Sequence, residues 1–322
     1  VHDGQIFKNQ NRTLEAIGMS VKFRAHDTFF IRKGWLSKGM KNIVSDPTIF
    51  VSRDTNPMDV LGIGANMVKA LRYWMQAVKL TEEPTSGRRE QKLTKLGKII
   101  HENDPYIEEL GTLWLLHYNL ATNKEEATAW YFFFNEFRPE EFTREDYFTQ
   151  IGNFLRELGE TVADRSIEDD YNCIISTYIP RIKLNPKKFD PEDNIDCPLG
   201  ELGLIDIISK KDRVYKKNMP KKDTIHPLIL LAVILFQHEK KNPEWRINKE
   251  KREIRISDIH TAKCNAGKVF NLDIITLTIL LYKLELLNFI KVVRTAGLDI
   301  IKINSDIDAL RCVEEYYRMI NE

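Results

Sequence analysis

The chain has 322 residues, with 48 Lys plus Arg set against 47 Asp plus Glu and 43% hydrophobic residues. At roughly 100–200 residues per domain, this length predicts two or three units, and the apolar content excludes a disordered chain. No run approaches the ~18 apolar residues of a membrane span, and Val1-His2-Asp3-Gly4 shows no leader pattern. Four scattered cysteines without a CxxC pair point to reduced thiols in a cytoplasmic protein, and away from a disulfide scaffold or a zinc finger.

A net charge of +1 hides strong sorting: residues 102–170 hold seventeen acids and five bases, and residues 206–255 hold fourteen bases and seven acids. Two readings are open, a basic face that meets a polyanion or a set of solvated helix faces.

In chain order, the first periodic segment places Met67, Ala70, Leu71, Trp74 and Val78 on one face, which predicts a helix over 66–78. Asp59 to Gly64 before it reads as a shorter helix and a glycine turn, the grammar of a helix-turn-helix. A turn-rich stretch at 82–87 follows, then strand signals at 91–94 and 97–100 that predict a small hairpin. Arg88, Arg89, Lys92, Lys95 and Lys98 fall here with Glu90 as the one acid. Helices are predicted over 112–118, 125–137 and 144–158. A loop with four of the twelve prolines spans 180–203, and a basic loop spans 210–222. Pro227 opens a helix over 227–238, and further helices are predicted over 273–286 and 305–320. Residues 290–294 and 299–303, joined through Gly297, predict a second hairpin. The resulting fold class is α+β and predominantly α-helical. Winged helix-turn-helix domains (1–100 and 223–322) are predicted at both ends, flanking an acidic helical middle region (101–222).

In the first copy, Asn66, Lys69, Arg72 and Tyr73 would face double-stranded DNA, and Arg88, Arg89 and Lys92 would hold phosphates from the wing. Asn pairs with adenine and Arg with guanine in the major groove. The corresponding face of the second copy, Thr276, Thr278, Tyr282, Lys283 and Glu285, carries little positive charge, so that copy reads as structural or partner-binding.

The densest motif is Phe23-Arg24-Ala25-His26-Asp27-Thr28-Phe29-Phe30-Ile31-Arg32-Lys33-Gly34-Trp35-Leu36-Ser37-Lys38. Together with Leu61-Gly62-Ile63-Gly64-Ala65-Asn66-Met67-Val68 and Arg72-Tyr73-Trp74, it resembles a bacterial SspB-like family of unassigned function. Members of that family sit in DNA phosphorothioation and related defence operons beside PAPS-reductase-like sulfur-transfer proteins. In the family pattern, a glycine stands at Ala25 and a glutamate at Asp27, while His26, Thr28, Phe29, Arg32, Gly34, Trp35, Leu36 and Lys38 match. The stretches around Thr177-Tyr178-Ile179-Pro180, Asp196–Ile205 and Arg294–Asp299 add support, so the likeness runs over 23–303. It implies a DNA-acting component of a modification or phage-defence system with sulfur-transfer and ATPase partners. In its sharper form it implies a nickase that opens one strand.

Phosphodiester hydrolysis needs an activated water and a cation on the developing phosphorane charge. His26 as base, Asp27 as ligand to a magnesium ion, and Arg32 with Lys38 as cations would supply these. One acid and one histidine are few for a two-metal site, and on a strand the two would point to opposite faces. Two other roles stay open for the motif: a buried clamp built from Asp27, Arg32 and Trp35, or phosphate contact without chemistry. A non-catalytic adaptor and a transcriptional regulator are the corresponding alternatives for the whole chain. His226 and His238 read as helix-end residues. His260 and Cys264 have the spacing of a metal pair without a second pair. The acids Asp164, Glu168, Asp169 and Asp170, with Glu192, Asp193 and Asp196, read as solvated or as a divalent-ion cluster. The aromatic run from Trp130 to Phe137 reads as a core helix.

Overall fold

From Val21 onward the chain first makes turns, and Gly34 at φ +82° leads it into α1 (Trp35–Ser45). The computed structural model describes residues 21–87, 89–179, 197–221, 223–242, 245, 252–295, 298–304 and 306–322. Asn56 caps α2 (Pro57–Leu61), whose first position is the proline that suits it, and Gly62 at φ +61° ends it. After the turn comes α3 (Ala65–Ala77). Next, β1 (Thr81–Glu82) and β2 (Lys92–Leu93) pair antiparallel, Thr81 opposite Leu93 and Glu82 opposite Lys92. The expected pairing of 91–94 with 97–100 is therefore corrected, because residues 97–100 belong to α4 (Lys95–Asn103). The Thr94 hydroxyl caps α4 through the Gly97 amide, and a Cβ on Gly97 would lie 2.1 Å from the Leu80 carbonyl oxygen. That glycine serves close helix packing where the sequence suggested a strand.

The middle of the chain forms α5 (Leu110–Thr122), α6 (Thr128–Asn135), β3 (Glu141–Phe142), α7 (Arg144–Leu158) and α8 (Asp164–Tyr178). A capping box between Thr143 and Asp146 opens α7, and Gly159 at φ +73° closes it. After a 3-10 turn at Pro198–Leu202, β4 (Ile205–Ser209) and β5 (Val214–Lys217) form a sheet with β3, in the order β3-β5-β4. Part of the expected basic loop is thus strand, with Lys216 opposite Glu141 and Asp206.

The last third runs α9 (Pro227–Lys241), β6 (Glu253–Arg255), α10 (Ile256–Thr261), α11 (Ala266–Val269), α12 (Ile274–Leu286), β7 (Ile290–Thr295), β8 (Leu298–Ile303) and α13 (Ala309–Asn321). Its antiparallel sheet has the order β6-β8-β7. The hairpin predicted here forms, with Ile290 opposite Ile303 and Thr295 opposite Leu298. Among the described residues, no helix is long and apolar enough to cross a membrane. The chain is α+β and mostly helical.

Residues 111–121 of α5, all of α6 and residues 228–235 of α9 are buried on every side. Such helices lack a polar face because they form the centre of the core, which runs unbroken through all three thirds of the chain. His117 of α5 ties this centre together. Its Nε2 lies 2.8 Å from the Val269 carbonyl oxygen and its Nδ1 lies 2.7 Å from the Tyr178 hydroxyl. A carbonyl only accepts, so Nε2 carries the proton and the tyrosine donates to Nδ1. Burial holds the imidazole down to about 4, so it is neutral in the fold. Between pH 6.5 and 4 the unfolded chain takes up a proton that the folded chain refuses, and stability falls as the pH falls. The expected loss is about 3 kcal/mol across that window. Denaturant melts of the protein should show it, and of His117→Gln should not.

Candidate functional site

Two turns organise the HDTF segment, with the Asp27 amide donating to the Arg24 carbonyl and the Phe29 amide to the His26 carbonyl. Arg24, Asp27 and Thr28 adopt φ of +58°, +48° and +69°, a conformation that costs a non-glycine residue about 1 kcal/mol or more. Contacts from other elements hold it in place. His26 is 0% exposed, and its Nε2 lies 2.8 Å from Asp170 Oδ1 on α8. The Arg24 amide donates to the same oxygen at 2.7 Å, and Arg24 Nε lies 2.9 Å from Asp169 Oδ2. Trp74 of α3 stacks on the His26 ring at 5.6 Å and 11°, while Trp130 of α6 meets its other side edge-on at 5.7 Å. Burial pushes the Asp170 carboxyl above its usual value, and the His26 bond and the Arg24 amide pull it back.

This geometry corrects the reading of His26 as a general base paired with Asp27. Its partner is Asp170, and two indoles close it off, so no substrate reaches its ring. Asp27 is half-buried beside it in sequence and takes no part in that bond. Arg32 lies over the rings of Phe29 and Trp35, 5.9 Å and 5.5 Å from their centroids. Lys38 donates to the Leu61 carbonyl at 2.7 Å, at the end of α2. The segment is thus a clamp, built from His26 and Asp170 together with the Arg32–Trp35 stack.

Of the residues expected to face DNA, Asn66 and Lys69 are exposed on α3, with 3.5 Å between Asn66 Oδ1 and Lys69 Nζ. Arg89 and Lys92 are exposed in and beside the ribbon, and Arg88 lies outside the described residues. Arg72 is used differently. Its Nε and Nη2 meet Glu83 at 3.0 and 2.5 Å, in a pair whose side chains are 23% and 8% exposed. Gln91 adds bonds to the Arg72 carbonyl at 3.1 Å and to the Thr81 hydroxyl at 3.1 Å. A guanidinium held in this fork braces the ribbon against α3 and is not free to read a base. Tyr73 is likewise buried, its hydroxyl donating to the Glu126 carbonyl.

The C-terminal helix differs more. The polar side chains expected on its face are engaged: Thr276 with Asp273, Lys283 with Asp223, and Glu285 with the Val292 amide. Beside Lys283, α12 exposes an apolar stripe, with Ile275 at 70% and Leu286 at 83%, and Ile279 and Tyr282 between them. The i, i+4, i+7, i+11 spacing of these four was readable in the sequence as a stripe, although the sequence does not say which stripe turns inward.

Elsewhere, His260 Nε2 donates to the Leu272 carbonyl at 3.1 Å, and the Cys264 amide donates to the Asn135 side-chain oxygen. Among the described residues no group of three or more His, Cys, Asp or Glu side chains gathers as a metal site. Glu192, Asp193 and Asp196 lie outside them. The aromatic run packs in the core as expected.

Replacing Arg72 by Ala leaves a largely buried Glu83 carboxylate without its cation. It should cost about 2–4 kcal/mol, read as a shift of the urea midpoint. Arg72→Lys should recover less than half, since an ammonium lacks the two-pronged geometry.

Comparison with known proteins adds the family. The crystal structure of magnesium ion-bound SspB superposes with a TM-score of 0.80 at 25% identity, covering 95% of this chain and 91% of that one. A second SspB crystal structure gives 0.77 at 24% identity, covering 94% and 89%, a likeness of fold. A search of the curated proteins found no match. The family described as "Protein of unknown function (DUF4007)" matches residues 23–317, and the chain belongs to it.

Proposed function

We propose that the chain is a double-stranded-DNA-binding component of a phosphorothioation-type DNA modification or phage-defence system. The carrying observation is the free positive charge on α3 and the ribbon. Lys69, Arg89 and Lys92 are exposed, and among the described residues none of them has a carboxylate within ion-pair distance. Asn66 stands beside Lys69, and the Arg72–Glu83 fork fixes the ribbon to the same helix. In this reading α1–α3 and the ribbon act as a winged helix-turn-helix. Helix α3 enters the major groove and the ribbon follows phosphates. The order β6, α10, α11, α12, β7, β8 reads as a second such unit whose apolar helix face is unsuited to a polyanion. The likeness to SspB supplies the kind of system. Through it come the proposed partners, a sulfur-transfer protein and an ATPase, with the acidic segment 102–170 as their contact.

Binding is favoured over strand cutting by what surrounds the motif. Magnesium demands several oxygen ligands in near-octahedral array. Here Asp169 and Asp170 are engaged by Arg24 and His26, and no other acid group gathers among the described residues. These residues do not fit a protein-built magnesium cage.

Duplex affinity should fall steeply with salt. Arg89→Ala and Lys92→Ala should each reduce the log–log slope by about one unit, and an unchanged slope would take both residues out of the interface. Incubated with supercoiled plasmid and magnesium, the protein should retard the DNA and leave it closed. Open circles that disappear on Asp27→Ala would replace the adaptor reading by the nickase.

A further inference from the structure

A cavity of about 570 Å³ opens between the start of α4, α5 and the end of α9. Four lysines surround it: Lys79 after α3, Lys95 at the first position of α4, and Lys240 and Lys241 in the last turn of α9. Some lysines find acids, as Lys22 does with Glu126, Lys263 with Glu136, and Lys302 with Glu253. Others, Lys69 and Lys92 among them, stand on the surface without one among the described residues. What sets the cavity apart is that four such amines border one space. Among the described residues these four find no acid within ion-pair distance. Burial lowers the Lys79 amine below its ordinary value and Lys240 lowers it further, against the smaller opposing pull of Cys264 and Glu125.

Helix electrostatics accounts for only half of this cluster. Lys240 and Lys241 suit the negative end of α9. Lys95 stands at the positive end of α4, where a cation is unfavourable and no acid lies in the first turn to offset it. Of the first amides of α4, that of Gly97 meets the Thr94 hydroxyl. Thr94, Lys95 and Leu96 all border the cavity, so the positive end of the helix adds to the field of the lysines. Opposite this rim the floor is apolar. Tyr118 and Phe236 lie with ring planes 21° apart and centroids 6.4 Å apart, beside Leu310.

We infer that this cavity binds a nucleoside phosphate, the phosphates among the four lysines and the planar base against the Tyr118–Phe236 floor. Its size falls within the ~300–1,000 Å³ of small-molecule sites. Its unbalanced cations call for more than one negative charge, and its floor calls for a flat apolar body. The ligand is either a free nucleotide or the 5′-terminal nucleotide of a DNA strand. This site is separate from the duplex reading, since it uses none of Lys69, Arg89 or Lys92.

Cys264 borders the same cavity and is half-buried, whereas Cys173, Cys197 and Cys312 are buried. Its alkylation by iodoacetamide in the intact protein therefore reports occupancy. ATP should slow that reaction at least tenfold in a saturable way, while adenosine should not. Lys79→Ala/Lys240→Ala, two exposed positions, should shift the protection curve at least tenfold toward higher ATP. Arg89→Ala/Lys92→Ala should leave the curve in place, which keeps failure of the duplex interface distinct from failure here. Protection by a 5′-phosphorylated single-stranded oligonucleotide and not by ATP would assign the strand end as the source. Unchanged alkylation with millimolar ATP and with the oligonucleotide would overturn the inference. So would equal protection by adenosine, or a curve that the lysine substitutions do not move.

Discussion

The hydrogen bond between the His26 imidazole and the Asp170 carboxylate joins four parts of the chain that are remote in sequence. His26 brings the N-terminal turns, Asp170 brings α8, and the two indoles that seal the bond bring α3 and α6. A carboxylate taken out of water is costly unless each of its lone pairs is used. The Arg24 amide uses a second one on the same oxygen. Those two bonds help to hold the left-handed turns at Arg24, Asp27 and Thr28, which deliver both donors to Asp170. The indole of Trp74 then donates to the Phe29 carbonyl at 2.8 Å. The inner face of α3 is thereby locked to the motif, and its outer face is left to carry Asn66 and Lys69.

The same logic governs the ribbon. Two-residue strands have little stability of their own. Here β1 and β2 hold their place because Arg72, Gln76 and Gln91 converge on Glu83. A sequence count of cations treats Arg72 as equivalent to Lys69, but folding sorts them. The arginine, with its planar fork, is drawn into a half-buried carboxylate contact. The lysine stays in water. What remains on the surface is smaller than the sequence suggests and better placed, since the brace that neutralises Arg72 also aligns the ribbon with the helix.

Much of the architecture was legible where local chemistry decides it. Thr143 and Asp146 mark the start of α7 and Gly159 its end, Pro227 opens α9, and the apolar alternation around Gly297 encodes β7 and β8. Helix α8 was missed, although Ile167, Tyr171, Ile174 and Tyr178 stand at i, i+4, i+7 and i+11. Its acids Asp164, Glu168, Asp169 and Asp170 drew the reading toward a solvated or divalent-ion cluster. Gly97 misled in the opposite direction: glycine and its neighbours suggested a strand, while the real requirement was the Leu80 carbonyl pressed against the helix. The partner of His26 was not legible at all. It lies 144 residues away, and no spacing rule links the two.

The sorting of charge along the sequence takes a different meaning in three dimensions. The lysine cavity draws Lys79 and Lys95 from the first third and Lys240 and Lys241 from the last, so neither segment alone encodes its field. Packing of α5 between those thirds brings the four amines together. Core packing and a concentrated positive field are thus products of the same buried helices. Like charges held about one cavity raise the energy of the fold, and surface screening relieves them only in part. A chain that needed only stability could place one acid at the start of α4 and gain from both the helix dipole and the lysines. Leaving that turn without one keeps the site electrostatically incomplete within the protein, which is the condition for binding an anion from outside.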